Sequence, residues 1–223
     1  MTHFDPQFGT RMINLMAAAV LVLQILMVAQ RWLVTSIRAF GVQSFLLAMI
    51  GATIAYFNRA PHIYIAAALT LIFKAIVLPL MLERLVTKIE IRQEIQPYLN
   101  VPISVIISGG LTLLAYTVAE SFQRPDEAGL GHNTLAVAIS LFLIGFFMMV
   151  NRRKALTQVL GLLSLENGLL LAAMSLTYGM PLIVEIGIFF DVLVAALLLA
   201  ILIYRIRETF DSMDVSRLSR LRG

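Results

Sequence analysis

Long apolar runs separated by short charged clusters organise this chain. Seven stand out, at residues 12–29, 40–57, 63–82, 101–119, 135–150, 156–177 and 182–204. A helix needs about 20 apolar residues to cross a hydrocarbon core about 30 Å thick, and each run approaches or meets that length. The fifth is short and the fourth contains Gly109-Gly110. Membrane helices tolerate both features, and small residues there let neighbours pack closely. The first run follows Arg11 and has the outline of a secretion signal. It is long enough to span, however, and no small-x-small cleavage site precedes polar sequence, so it reads as the first membrane helix.

The basic residues test this division, because cytoplasmic loops are enriched in Lys and Arg. One alternating set of segments carries Arg31, Arg38, Arg84, Lys88, Arg92, Arg152, Arg153, Lys154, Arg205, Arg207, Arg217, Arg220 and Arg222. The other carries only Arg11, Arg59 and Arg124. This asymmetry emerges only if all seven spans exist. The expected fold is therefore all-α and polytopic, with the N-terminus outside and the C-terminus cytoplasmic. Residues 1–223 form one membrane domain: a four-helix part at 12–133, a three-helix part at 134–204 and a cytoplasmic tail at 205–223.

Composition agrees with lipid as the solvent. The chain is 60% hydrophobic and only 13% charged, where a soluble domain is nearer half apolar and a quarter charged. Its net charge of +4 reflects topology and gives no reason to expect nucleic acid. The chain contains no cysteine, which excludes disulfides, iron–sulfur ligation and thiolate metal sites within it. His3, His62 and His132 are too dispersed to suggest a metal, and no nucleotide loop or nucleophile triad is present.

Two polar segments extend the pattern. Residues 83–96 mix charge with Leu85, Ile89, Ile91 and Ile95, so the third helix should continue beyond the membrane until Pro97 and Pro102 break it. In the tail, Asp211 and Asp214 are possible caps before Val215, Leu218 and Leu221, a segment suited either to solvent and lipid surface or to a partner. A weak internal repeat aligns residues 40–57 with 157–174 through Val42/Val159, Leu46/Leu163, Gly51/Gly168 and Ala55/Ala172.

Ionisable residues inside the spans are the candidate chemistry. A charged side chain at the bilayer centre costs about 2.5–3.5 kcal/mol on the insertion scale. Lys74, Glu166 and Asp191 all fall near the midplane by helical rise. Glu185 lies nearer the outer surface, and Glu120 sits at a helix end where solvent reaches it. Such groups persist when they pair, face water or exchange protons. One reading is an ion pair locking helices, for example Lys74 with Asp191. The other is a proton path, with Glu185 and Asp191 about 9 Å apart along one helix and water between them. Pro79 should kink the helix of Lys74 and free backbone carbonyls. Gly168 and Gly187 are read as close-packing positions beside the carboxylates.

Leu165-Glu166-Asn167-Gly168, then Pro181-Leu182-Ile183-Val184-Glu185-Ile186-Gly187-Ile188 and Asp191, resemble the hydrogenase-4 component E family, a membrane subunit of formate-hydrogenlyase-type complexes. The close, from Asp214-Val215 to Leu221-Arg222-Gly223, and the segment Lys74-Ala75-Ile76-Val77-Leu78-Pro79-Leu80 carry the same resemblance. The last three helices also resemble the K-type subunit of respiratory complex I and its relatives in multisubunit antiporters. That likeness implies a proton-path role for Glu166. Asp191 matches less closely, because the family acid there differs, while Glu185 is additional and the intervening loop is shorter.

The resemblance implies a non-catalytic subunit in a prokaryotic inner membrane. It implies antiporter-like membrane partners, a hydrogenase membrane anchor and a cytoplasmic hydrogenase arm. The nickel–iron centre and iron–sulfur clusters would belong to those partners, with no cofactor in this chain. The alternatives are a subunit of a cation/proton antiporter without a redox partner, and an architectural spacer. Neutralising Lys74, Glu166 and Asp191 would alter only stability in the spacer.

Overall fold

Six helices long and apolar enough to cross a membrane make up the computed structural model, which describes residues 6–58, 61–89, 97–121 and 132–176. They are α1 (Pro6–Ala29), α2 (Leu33–Asn58), a composite third span, α5 (Val101–Ser121), α6 (His132–Asn151) and α7 (Ala155–Leu176). The third span comprises α3 (Pro61–Leu69), a π-helical stretch (Thr70–Val77) and α4 (Leu78–Ile89). No strand occurs among the described residues. Six of the seven apolar runs thus become helices. The run at 182–204, the tail, Glu185 and Asp191 lie outside the described residues, as do 90–96.

Two helices begin well before the sequence reading placed them, the first at Pro6, so that Arg11 stands inside α1. The second span begins at Leu33, so Arg38 stands inside α2 rather than in a loop. The charge is tolerated there because Arg38 is exposed and its Nε donates to Glu83 Oε1 of α4 at 2.8 Å. The third span does continue beyond its apolar run, reaching Ile89 with Leu85 and Val86 buried.

The distribution of side chains is inverted relative to a soluble protein. Leu15, Val22, Ile106 and Leu113 are exposed, while Gln24, Gln43, Ser44, Ser108, Ser140, Ser164 and Asn167 are buried. A polar group in hydrocarbon must find its partners within the protein, so the polar residues face inward. Helix positions follow from the same rule. The α7 span is 72% buried and that of α5 only 17%, which makes α7 central and α5 peripheral.

Glycine brings α7 against α6. A Cβ on Gly168 would stand 2.6 Å from Phe142 N and 2.8 Å from Ala138 O, and one on Gly145 would stand 2.6 Å from Leu165 N. Both contacts are to backbone, which cannot swing aside, so these positions admit only hydrogen. Gly168 therefore fulfils its expected packing role. Gly109-Gly110 does not, because a Cβ at either position meets nothing within 4 Å. They lie on the thinly covered α5.

Asn151, the last residue of α6, and Arg152, the first of the connection to α7, tie one end of the bundle together. Asn151 Oδ1 accepts from Leu99 N at 2.8 Å, and its Nδ2 donates to Ser104 Oγ at 2.9 Å. Arg152 is buried, and its Nη2 donates to Val28 O at 2.8 Å and Gln30 O at 3.2 Å. A cation placed on the last carbonyls of α1 both satisfies them and opposes the negative end of the helix dipole. The neighbouring Arg153 stacks 4.5 Å above the Tyr98 ring.

Candidate proton-exchange site

The site begins with an irregularity that Pro79 helps to explain. Proline has no N–H, so the carbonyls four and five residues before it, Ala75 and Lys74, lose a donor at that position. Just upstream the helix is wound more loosely, and Leu78 N donates to Phe73 O across five residues. Gly41 of α2 accommodates the result. A Cβ there would lie 3.2 Å from Pro79 Cγ and 3.3 Å from Ala75 O. The expected effect of Pro79 thus takes the form of a π-helical stretch. Such stretches are rare and are found frequently at functional sites.

Winding selects which side chains face inward. Thr70 and Lys74 are the buried residues of the stretch, while Ile72, Phe73 and Ile76 face outward. Lys74 is 1% exposed. Its Nζ lies 3.4 Å from Glu166 Oε2 of α7, and both side chains are almost wholly enclosed. The pair brings together two of the four residues singled out from sequence. Lys74 meets Glu166, where the sequence reading had offered Asp191 as the example of a partner. Glu120 is exposed at the end of α5, as its position suggested.

Asn167 and Ser164 occupy another face of α7. Asn167 Nδ2 donates to Gln43 Oε1 at 3.2 Å and Ser44 Oγ at 3.1 Å. Gln43 Nε2 donates to Gln24 Oε1 at 2.9 Å, and Ser164 Oγ donates to that same oxygen. Sequence reasoning passed over Gln24, Gln43 and Ser44. Their signal was available: an amide buried in a membrane helix also needs a partner, although it costs less than a charge.

The geometry permits one elementary reaction. Moving a proton between an ammonium and a carboxylate converts an ion pair into a neutral amine and acid without changing the net charge. Adding or removing a proton then leaves one charge behind. Among the described residues no cluster of side chains is suited to holding a metal ion.

Known proteins give this arrangement a context. The chain is 37% identical over 153 residues to the uncharacterized protein Rv0085 of Mycobacterium tuberculosis, covering 68% of this chain and 69% of that one. It is 26% identical over 215 residues to hydrogenase-4 component E of Escherichia coli K12, covering 96% of this chain and 99% of the relative. The Shigella flexneri hydrogenase-4 component E matches to the same extent. No family model and no solved structure matches. The match to component E runs almost end to end. Together with the bundle of membrane-length helices, it makes the chain similar over nearly its whole length to hydrogenase-4 component E.

Proposed function

We propose that this chain is a non-catalytic membrane subunit of a [NiFe]-hydrogenase complex and that Lys74 and Glu166 form part of its proton path. The observation that carries the reading is the enclosed Lys74–Glu166 pair, 3.4 Å apart, at a π-helical stretch of a membrane span. The similarity to hydrogenase-4 component E along nearly the whole chain supports the hydrogenase assignment. Hydrogen chemistry and its metal centres belong to partner subunits. This chain supplies titratable groups that exchange protons as electrons pass through the complex.

Physical chemistry favours such a role for a pair of this kind. Intramembrane ionisable residues are expensive, and they commonly mark ion or proton routes. An ammonium and a carboxylate held this close can pass a proton between them without changing the net charge of the pair. Glu185 and Asp191 extend the proposed path along the last apolar run, toward the outer surface.

The test is Glu166→Gln in the complete complex, reconstituted in sealed vesicles. The amide keeps the shape of the side chain but cannot ionise. The complex should assemble and turn over electrons, with protons moved per electron reduced. An unchanged ratio in a fully assembled E166Q complex would remove Glu166 from the path.

A further inference from the structure

Beside the ion pair lies a directed chain of amides. It runs from Asn167 through Gln43 to Gln24, with the amide nitrogens of Asn167 and Gln43 each donating to the next member toward α1. Ser44 and Ser164 brace it, and Val20 O accepts a second, longer bond from Gln43 Nε2 at 3.4 Å. Gln24, Gln43, Ser44, Ser164 and Asn167 are all fully buried. At the ends, Asn167 Oδ1 and Gln24 Nε2 have no hydrogen-bond partner among the described residues. One end is thus an open acceptor and the other an open donor.

Buried polar atoms in folded proteins are almost always satisfied, and where the protein does not do so, water does. The groups are neutral, polar and convergent, and no formal charge within the chain calls for a counterion. The position also matters. Asn167 is next in sequence to Glu166, while Gln24 lies in the last turns of α1, close to the carbonyls that Arg152 caps. An amide carries an excess proton poorly, whereas an ordered water passes one readily. The amides therefore suit a scaffold that orients water.

We infer that Gln24, Gln43 and Asn167 bind water at both open ends of their chain, and that this hydrated row connects Glu166 to the Arg152 end of α1. It serves as the access route by which the Lys74–Glu166 pair exchanges protons with that side of the membrane. This inference rests on the proton-path reading given above.

Two measurements on the intact complex test it. A high-resolution map of the wild-type complex should show water within hydrogen-bonding distance of Asn167 Oδ1 and Gln24 Nε2. In vesicles, Gln43→Met and Gln24→Met keep the approximate volume but break the amide chain. Each should slow proton movement tenfold or more, with the Lys74–Glu166 pair still in place. Dry density at both ends would overturn the inference, as would wild-type proton movement in the two methionine variants. Loss in E166Q with full rates in Q24M and Q43M defeats only the water route. Full coupling in E166Q defeats the proton-path reading itself. The map requires no variant, so it decides the matter even if a methionine variant fails to fold.

Discussion

A double-mutant cycle on Lys74 and Glu166 separates a proton-exchange pair from a mere clamp. The variants are K74M, E166Q and the two combined. At 3.4 Å, and with an effective dielectric constant near 20, the attraction between unit charges is about 5 kcal/mol. Placing two charges at mid-membrane depth costs about 5–7 kcal/mol on the insertion scale. Attraction and burial cost thus nearly cancel, and the intact pair adds little net stability. Neutralising one member relieves about 3 kcal/mol but forfeits the full 5. The loss is about 2 kcal/mol by this reckoning, and losses for broken buried pairs generally run about 3–5 kcal/mol.

Each single variant should therefore unfold earlier in mild detergent, while the double variant should return close to wild type. The coupling energy between the two positions should be about 2–5 kcal/mol. Proton movement in vesicles should behave differently and fail in all three variants, because the double variant restores stability but not a titratable group. Recovery of proton movement in the double variant would refute the exchange role and leave a structural clamp. Additive stability losses would refute the pairing itself.

Other consequences follow from packing and topology. Gly168→Ala forces a methyl against the backbone of Phe142 and Ala138 and should cost about 1–3 kcal/mol, read as a lower unfolding midpoint. Gly109→Ala meets open space and should be neutral or stabilising by up to about 1 kcal/mol. Arg152→Ala should expose the α1–α2 connection to limited proteolysis, and Arg152→Lys should restore protection poorly, because an ammonium cannot reproduce the guanidinium fork over several carbonyls. The chain has no cysteine, so single-cysteine labelling needs no altered background. R153C should react with an impermeant reagent only from the cytoplasmic side, and R59C only from the outside.

The sequence exposed what is costly in a membrane and concealed what is relational. Lys74 and Glu166 were legible because charge in hydrocarbon must be explained, and Pro79 was legible because it lacks a donor. The partner of Lys74 was not, since depth along a helix places several acids at one level and says nothing about which helices adjoin. Gln24 and Gln43 escaped notice for a different reason. Neutral amides are tolerated in apolar runs and stand out only when they meet. The glycines show the same limit. Gly109-Gly110 and Gly168 are indistinguishable as residue types, yet one site faces open space and the other touches backbone.

These distinctions converge on α7. Gly161 and Gly168 give one face to α6, Glu166 gives a second to Lys74, and Ser164 with Asn167 give a third to α1 and α2. Consecutive residues on a helix are turned by about 100°, so Glu166 and Asn167 necessarily address different neighbours. Glu166 lies on the covered side of this helix, away from the exposed Leu169 and Leu176, which is why it can carry a carboxylate at this depth. The same enclosure fixes the distance to Lys74 and holds the amide chain alongside. Replacing the small residues that face α6 should therefore disturb proton exchange as well as packing, even though none of them ionises.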